Sequence, residues 1–220
     1  MRIIGGKFRS RKLVTLEGLK TRPTLDGTKE AIFNSLGNYI PDFVVLDVFG
    51  GSGALSLESI SRGAKHAYII DNNVEAIKII KTNIATLKVE NQVTILHGSY
   101  DQMLKKLINK KFDLIFLDPP FRMKVIDELI TFILDNDMLE DGGYIMAEYP
   151  KEDVVRKDYP NLKIKLCIEL DDYTHKREKR IKRDEFLNKL FNDLEIKLLR
   201  IPVQNYYNLE ELKKKIEESL

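Results

Sequence analysis

The residues with most chemistry to offer stand together at Asp118-Pro119-Pro120-Phe121, where an apolar run, Leu114 to Leu117, ends in an acid, two prolines and an aromatic ring. An exocyclic amine on a nucleobase is a poor nucleophile, because its lone pair is delocalised into the ring. Asp118 can accept one N–H of such an amine and the carbonyl of Pro119 the other. Holding both drives the nitrogen toward tetrahedral geometry and aims its lone pair at an electrophilic carbon. Pro119 and Pro120 fix φ and stiffen the turn, and Phe121 offers a face on which a flipped or unpaired base stacks. Catalysis would then be positioning plus electrostatics, with no metal. Taken alone, the tetrapeptide is equally a strand-ending turn with a packed phenylalanine.

Three other strand ends decide between these readings. The first, in "DVFGGSGAL", places Asp47 before a loop with Phe49, Gly51 and Gly53. Gly51 and Gly53 let the backbone turn tightly beside a ligand. A dinucleotide loop wants a third glycine where Ser56 stands and usually lacks an acid before the turn. A carboxylate at Asp47 repels a pyrophosphate and receives an ammonium, so an amino-acid moiety suits this loop better than a nicotinamide dinucleotide. The second ends at Asp71, with Asn72 following; a carboxylate about 20 residues past such a loop can accept from both ribose hydroxyls. After the third, Ser99 and Tyr100 can meet an adenine edge. Ribose, adenine and an amino-acid tail together describe S-adenosylmethionine. The competing reading is that Asp47 and Asp71 only cap loops.

The elements that must position these residues follow from periodicity. Short apolar runs at 43–49, 66–71, 92–98, 112–118 and 142–149 read as strands, alternating with helical patterns at 54–62, 74–88, 101–108 and 124–136. Val74, Ile77, Ile80, Ile84 and Leu87 fall at helical spacing in the second of these. That alternation predicts βαβ units and a mostly parallel, doubly wound α/β sheet with both faces covered. Ahead of it, two short strands ("RII", "KLVTL"), a turn at 22–24 and a helix over 27–37 make an extension. Beyond Leu170 the pattern changes to a charged helix (177–193), a strand (196–202) and a last helix (209–218).

With 220 residues, 43% hydrophobic and 32% charged, one core is expected. The net charge of +2 conceals two basic islands. Residues 1–30 hold eight Lys/Arg, among them Arg2, Lys7, Arg9, Arg11, Arg22 and Lys29, against three acids, and 174–183 holds six against one. Such islands suit a polyanion, although any single run is as readily a solvated face. Cys167 is the sole cysteine and the three histidines have no ligand spacing, so neither a disulfide nor a metal cluster is expected. The first residues lack the apolar core of a signal peptide and no apolar run nears eighteen residues, so a soluble, cytoplasmic protein is expected.

The blocks "MRIIGGKFRSRKL", "TRPTLDGTKEAIFNSL", "LDVFGGSGALSLESISRGA" and "FDLIFLDPPF" resemble, in order, those of the RsmD family of bacterial 16S rRNA guanine-N2 methyltransferases. The resemblance spans about residues 1–150. It implies a Rossmann-like methyltransferase fold, S-adenosylmethionine as cofactor, and 16S rRNA, in an assembling or assembled small subunit, as partner; no membrane or metal is expected, and the sequence does not fix the oligomeric state, a monomer being the default. It places Asp47, Gly51, Gly53 and Asp71 on the cofactor and Asp118, Pro119, Pro120 and Phe121 at the base; Phe49, Asn72, Ser99 and Tyr100 are expected to complete the cofactor site. Arg22, Thr24 and Lys29 match the family's N-terminal signature and are expected on an RNA-facing wall with Arg2, Lys7, Arg9 and Arg11, although Arg22 could equally brace the catalytic loop. Gly50 stands where the family pattern carries alanine, a departure expected to be harmless apart from a looser loop.

The implied division is an RNA-facing extension (1–42), a methyltransferase core (43–170) and an atypical basic α/β tail (171–220). The tail, from about 165, is similar to the closing half of a restriction-endonuclease-like domain, in which an acid such as Glu169 joins an earlier one on a metal. That earlier half is missing, so the tail is expected to supply the sheet's last strands and a basic surface rather than cleavage. Two other readings stay open: a DNA adenine-N6 methyltransferase, served by the same Asp-Pro-Pro-Phe chemistry, and an RNA-binding module without turnover.

Overall fold

In the computed structural model, the residues described are 1–16, 29, 32–34, 36, 40–120, 123–150, 153, 155, 156, 158, 159, 162, 166–171 and 197–202. Arg22, Thr24 and Phe121 lie outside them, as do the basic run 174–183 and the expected helices at 177–193 and 209–218. The chain divides into two compact units, one of residues 1–29 and 38–155, the other of 30–37 and 156–220.

The first unit is built on a five-stranded parallel sheet: β1 (Val44–Asp47), β2 (His66–Asp71), β3 (Val93–His97), β4 (Phe112–Leu117) and β5 (Leu139–Ala147), in the order β3-β2-β1-β4-β5. The strand order reverses between β1 and β4, where an open α/β sheet leaves its ligand crevice. Val45, Leu46 and Leu114 to Leu117 are fully buried. Each such apolar side chain contributes about 1.5–3 kcal/mol relative to exposure. The helices are α1 (Ala54–Ser61), α2 (Val74–Leu87), α3 (Tyr100–Lys105) and α4 (Ile126–Asp135).

Helix α2 starts at Asn73, whose side chain accepts from the Glu75 amide, and stops at Lys88 with φ 57°. Ala76, Ile77, Ile80, Ile84 and Leu87 form its buried stripe, while Val74, in the first turn, is half exposed. Helix α1 is buried along its whole length, Glu58 and Ser61 included. An amphipathic helix would show those two to water; here an N-terminal arm covers them.

That arm, residues 1–14, is a hairpin closed by a single antiparallel bridge, Arg2 to Lys12, and by Ile3 N–H to the Arg11 carbonyl (2.9 Å) and Leu13 N–H to the Met1 carbonyl (3.0 Å). The two expected strands reduce to that bridge, because side chains of the core take backbone groups a ladder would use. The Glu58 carboxylate accepts the amides of Ile4 and Gly5, each at 2.8 Å. Ser61 donates to the Gly5 carbonyl at 2.6 Å and accepts from the Phe8 amide at 2.9 Å.

The edge strand β5 begins three residues earlier than its apolar run suggests. Leu139 pairs with Phe112 and Tyr144 with Leu114, so residues 140–143 face Asp113 alone in a wide bulge. Beyond it the register is regular and sets Ala147 opposite Leu117. In the second unit β6 (Leu166–Asp171) and β7 (Lys197–Pro202) pair in parallel as a separate two-stranded sheet. The expectation that the tail extends the main sheet is corrected: β6 and β7 pair with one another and, among the described residues, with none of the five.

Candidate active site

The crevice gathers the carboxyl ends of β1, β2 and β4. Asp47, the last residue of β1, is 1% exposed. Its Oδ2 accepts from Ser56 Oγ at 2.9 Å, and its Oδ1 is buried with no hydrogen-bond partner among the described residues. Burial pushes the carboxyl up to about 6; the Ser56 hydroxyl partly offsets this and the Asp71 carboxylate adds to it. An unsatisfied buried oxygen is costly, and a cation placed beside it both supplies a partner and restores the charged form. The open acceptor therefore fits an ammonium group, which brings both N–H donors and positive charge.

The loop after β1 turns on Gly51 (φ 55°) and Gly53 (φ 75°), the second being the residue before α1. A Cβ at Gly51 would meet nothing within 4 Å, so open space lies beside the loop. The loop is held rather than loose: Gly50 N–H donates to the Ile70 carbonyl (2.8 Å), Gly53 N–H to the Gly50 carbonyl (2.7 Å) and Gly51 N–H to Asp71 Oδ2 (2.8 Å). Gly50 itself is not a neutral departure. A Cβ there would stand 2.2 Å from Ile69 Cγ2, so the branched Ile69 requires the glycine. The expected loosening is corrected accordingly.

Asp71 also takes the Asn73 amide on Oδ1 at 2.8 Å. Loop capping and ligand binding are thus not exclusive readings of this residue, since a carboxylate offers about four lone-pair sites and two are used. Asn72, beside it, is exposed. Phe49 and Tyr100 meet ring to ring, centroids 5.5 Å apart and tilted by 51°, joining the loop after β1 to the start of α3. Ser99 precedes α3 as its N-terminal flanking residue, extended at φ −66° and ψ 146°.

Asp118 follows β4, with Pro119 buried and Pro120 exposed behind it. Its carboxyl is pushed up to about 7, first by burial, then by Glu148 and by Asp47. Glu148 is the residue that sequence reasoning missed. It sits at the end of β5, and its amide donates to the Leu117 carbonyl at 2.9 Å, so two acids leave neighbouring strands together. The signal was a carboxylate one step past the edge strand, but the bulge hid the register.

The expected RNA-facing residues divide. Arg2, Lys7, Arg9 and Arg11 are exposed on the arm, with Lys7 Nζ 4.9 Å from the Phe8 ring centre. Lys29 is corrected: it is fully buried, donating to the Arg2 carbonyl at 2.5 Å and lying 3.5 Å from Glu58 Oε2. The buried Glu58 carboxylate, which also pairs with Arg62 Nε at 2.9 Å, needs that internal cation, so Lys29 holds the arm down from beneath. Among the described residues no group of three or more His, Cys, Asp or Glu is placed to hold a metal, and no helix is long and apolar enough to cross a membrane.

Comparison with known proteins agrees with this geometry. A family profile described as Conserved hypothetical protein 95 matches residues 1–166, and one described as Protein of unknown function (DUF2726) matches 152–220. Ribosomal RNA small subunit methyltransferase D of Escherichia coli K12 is 37% identical over 148 residues, 67% of this chain and 74% of that protein. Its namesake from Haemophilus influenzae is 36% identical over 154 residues, 69% of this chain and 80% of that one. The solved structure of yhhF from Escherichia coli superposes with a TM-score of 0.62 at 35% identity, covering 73% of this chain and 88% of that one. HI0767 from Haemophilus influenzae, a methylase by its description, gives 0.61 at 32%, covering 72% and 86%. The matched segment holds the loop after β1, Asp71 and the Asp118-Pro119-Pro120 turn in one crevice of a Rossmann-like methyltransferase fold, and the chain belongs to the RsmD family of methyltransferases.

Proposed function

We propose that this chain transfers a methyl group from S-adenosylmethionine to the exocyclic N2 amine of a guanine in 16S ribosomal RNA. One arrangement carries the reading. Asp118 and the Pro119 carbonyl stand where strand order reverses, beside an Asp47 oxygen buried without a hydrogen-bond partner among the described residues. S-adenosylmethionine supplies a methyl group on a positively charged sulfur. Everything else falls to the chain's own residues.

Asp47 and the Gly51–Gly53 turn receive the amino-acid end of the cofactor, Asp71 receives ribose hydroxyls with its remaining lone pairs, and Phe49, Ser99 and Tyr100 border the adenine. Asp118, as carboxylate, and the Pro119 carbonyl each accept one N–H of the guanine amine, and Pro120 and Phe121 set the plane in which the base lies. Hydrogen bonds from both N–H groups localise the nitrogen lone pair, and the two rigid prolines keep it aimed. Once methylated, the nitrogen is strongly acidic and loses its proton without needing a strong base. The exposed Arg2, Lys7, Arg9 and Arg11 neutralise RNA phosphates. The names of the relatives support ribosomal RNA as the substrate, and the family resemblance supports guanine N2.

Mass spectrometry of 16S rRNA from cells with and without this protein tests the reading. Loss of one N2-methylguanine on deletion is expected. An unchanged rRNA methylation pattern together with lost N6-methyladenine in DNA would overturn it.

A further inference from the structure

Helix α2 buries one polar side chain in its apolar stripe, Asn83, 1% exposed between Ile80 and Ile84. Its Oδ1 accepts from the Val14 amide at 2.8 Å. Its Nδ2 donates to the Val14 carbonyl at 3.0 Å and to the Ser52 carbonyl at 2.9 Å. Val14 closes the arm that displays Arg2, Lys7, Arg9 and Arg11. Ser52 lies between the two glycines on which the loop after β1 turns. The arm's other side-chain partners lie off this loop: Glu58 and Ser61 on α1, and Lys29 and Gln92 elsewhere. Met1 adds a weak contact to the same place, with its Sδ 3.9 Å from Ser52 Oγ.

We propose that Asn83 is a positioning residue that couples the arm to the loop, so that cofactor on the loop and RNA on the arm raise each other's affinity. The inference rests on the function proposed above for the identity of the two ligands. Its physical basis is the buried amide. Both N–H groups and one lone pair are engaged with the two segments, and the buried amide loses a bond if either segment moves alone. A displacement of Ser52 therefore leaves either its own carbonyl or Val14 unsatisfied unless Val14 follows. A ligand that orders the loop removes freedom from the arm as well, and by linkage the effect is the same in the other direction.

A residue that only fastens the arm would lower arm stability without making it respond to a ligand on the loop. Hydrogen exchange of the full chain, with and without S-adenosylhomocysteine, separates the two. In the unmodified protein, S-adenosylhomocysteine should slow exchange in residues 3–14 about fivefold, the lower range of coupling between sites, as well as in 49–53. Asn83→Leu keeps the buried volume and loses the acceptor and both donors. It should bind S-adenosylhomocysteine and leave the arm protected yet unresponsive. Asn83→Ala should expose the arm and abolish its response.

Val14→Pro, at an exposed position, removes the donor to Oδ1 and keeps the Val14 carbonyl, and its weakened arm response carries the same test should the α2 variants not fold. An arm unmoved by bound S-adenosylhomocysteine in the unmodified protein, or equally responsive in Asn83→Leu, overturns the coupling alone. No calorimetric heat with S-adenosylhomocysteine and no protection at 49–53 overturns the cofactor reading, and the coupling with it.

Discussion

Glu148 stands beside Asp118 because the Leu117–Ala147 register brings the ends of β4 and β5 level, and the Glu148 amide donates to the Leu117 carbonyl at 2.9 Å. Burial first, then the charges of Glu148 and Asp47, raise the Asp118 carboxyl to about 7. Only the carboxylate form of Asp118 leaves all its lone pairs open to a substrate N–H. In kcat/KM against pH, the rate should therefore climb through about 7 and level off above it. A profile flat from about pH 5.5 to about pH 8.5 would remove Asp118 from the amine.

The same shift has a cost in stability whose sign is fixed. The carboxyl binds its proton up to about 7 when folded and only up to its ordinary value of 3.8 when exposed. Between these values the native state holds more protons than the unfolded one, so stability falls as pH rises from about 4 to about 7. Asp118→Asn should flatten that dependence and raise stability at about pH 8 by roughly 1–3 kcal/mol, measured by urea unfolding. It should also cut methyl transfer by at least about a hundredfold, the scale of one missing transition-state hydrogen bond, while S-adenosylhomocysteine affinity stays within about threefold.

Glu58→Ala strips the arm of its anchor and leaves Lys29 buried without its carboxylate. Breaking one side of a buried pair costs about 3–5 kcal/mol, and urea unfolding should show it. Adding Lys29→Met should recover part of the loss, since the fully buried cation is then removed and only the partly exposed Arg62 loses its carboxylate. A double variant no more stable than Glu58→Ala would mean that Lys29 draws its stability from other partners.

Gly50→Ala places a methyl against Ile69 Cγ2 and should cost about 1–3 kcal/mol as overpacking. In an Ile69→Ala background the same change should cost less than half as much. Equal costs in both backgrounds would show that the loop gives way instead of the core.

Charge on the arm is read from salt dependence. Arg9→Gln with Arg11→Gln should reduce the slope of log affinity for 16S rRNA against log salt by about 0.7–0.9 for each phosphate no longer neutralised. A filter-binding series between about 50 and about 200 mM salt measures it, and an unchanged slope would move the RNA elsewhere.

Much of the core was legible because it obeys simple periods. β2 and α2 lie almost where alternation and helical spacing put them, and Asp47, Asp71 and Asp118 all reach the same crevice. The illegible features depend on long-range partners. Nothing local marks Lys29 as buried; its burial follows from Glu58, which is itself buried by an arm more than fifty residues earlier in the chain. Asn83 did leave a trace, as a polar residue inside an isoleucine stripe. The exposed Val74 shows the reverse limit, a position with the right spacing but in a first turn that water reaches.

The bulge of β5 gives the crevice a tolerance that a regular edge strand would lack. In an uninterrupted ladder, one inserted or deleted residue turns every later side chain to the opposite face. Here residues 140–143 already loop out opposite a single partner, and pairing restarts at Tyr144 with Leu114. Changes of length within that loop alter its size and leave the alternation after Tyr144 in phase. The chain can therefore vary at this edge while Glu148 keeps its place next to the residue it tunes.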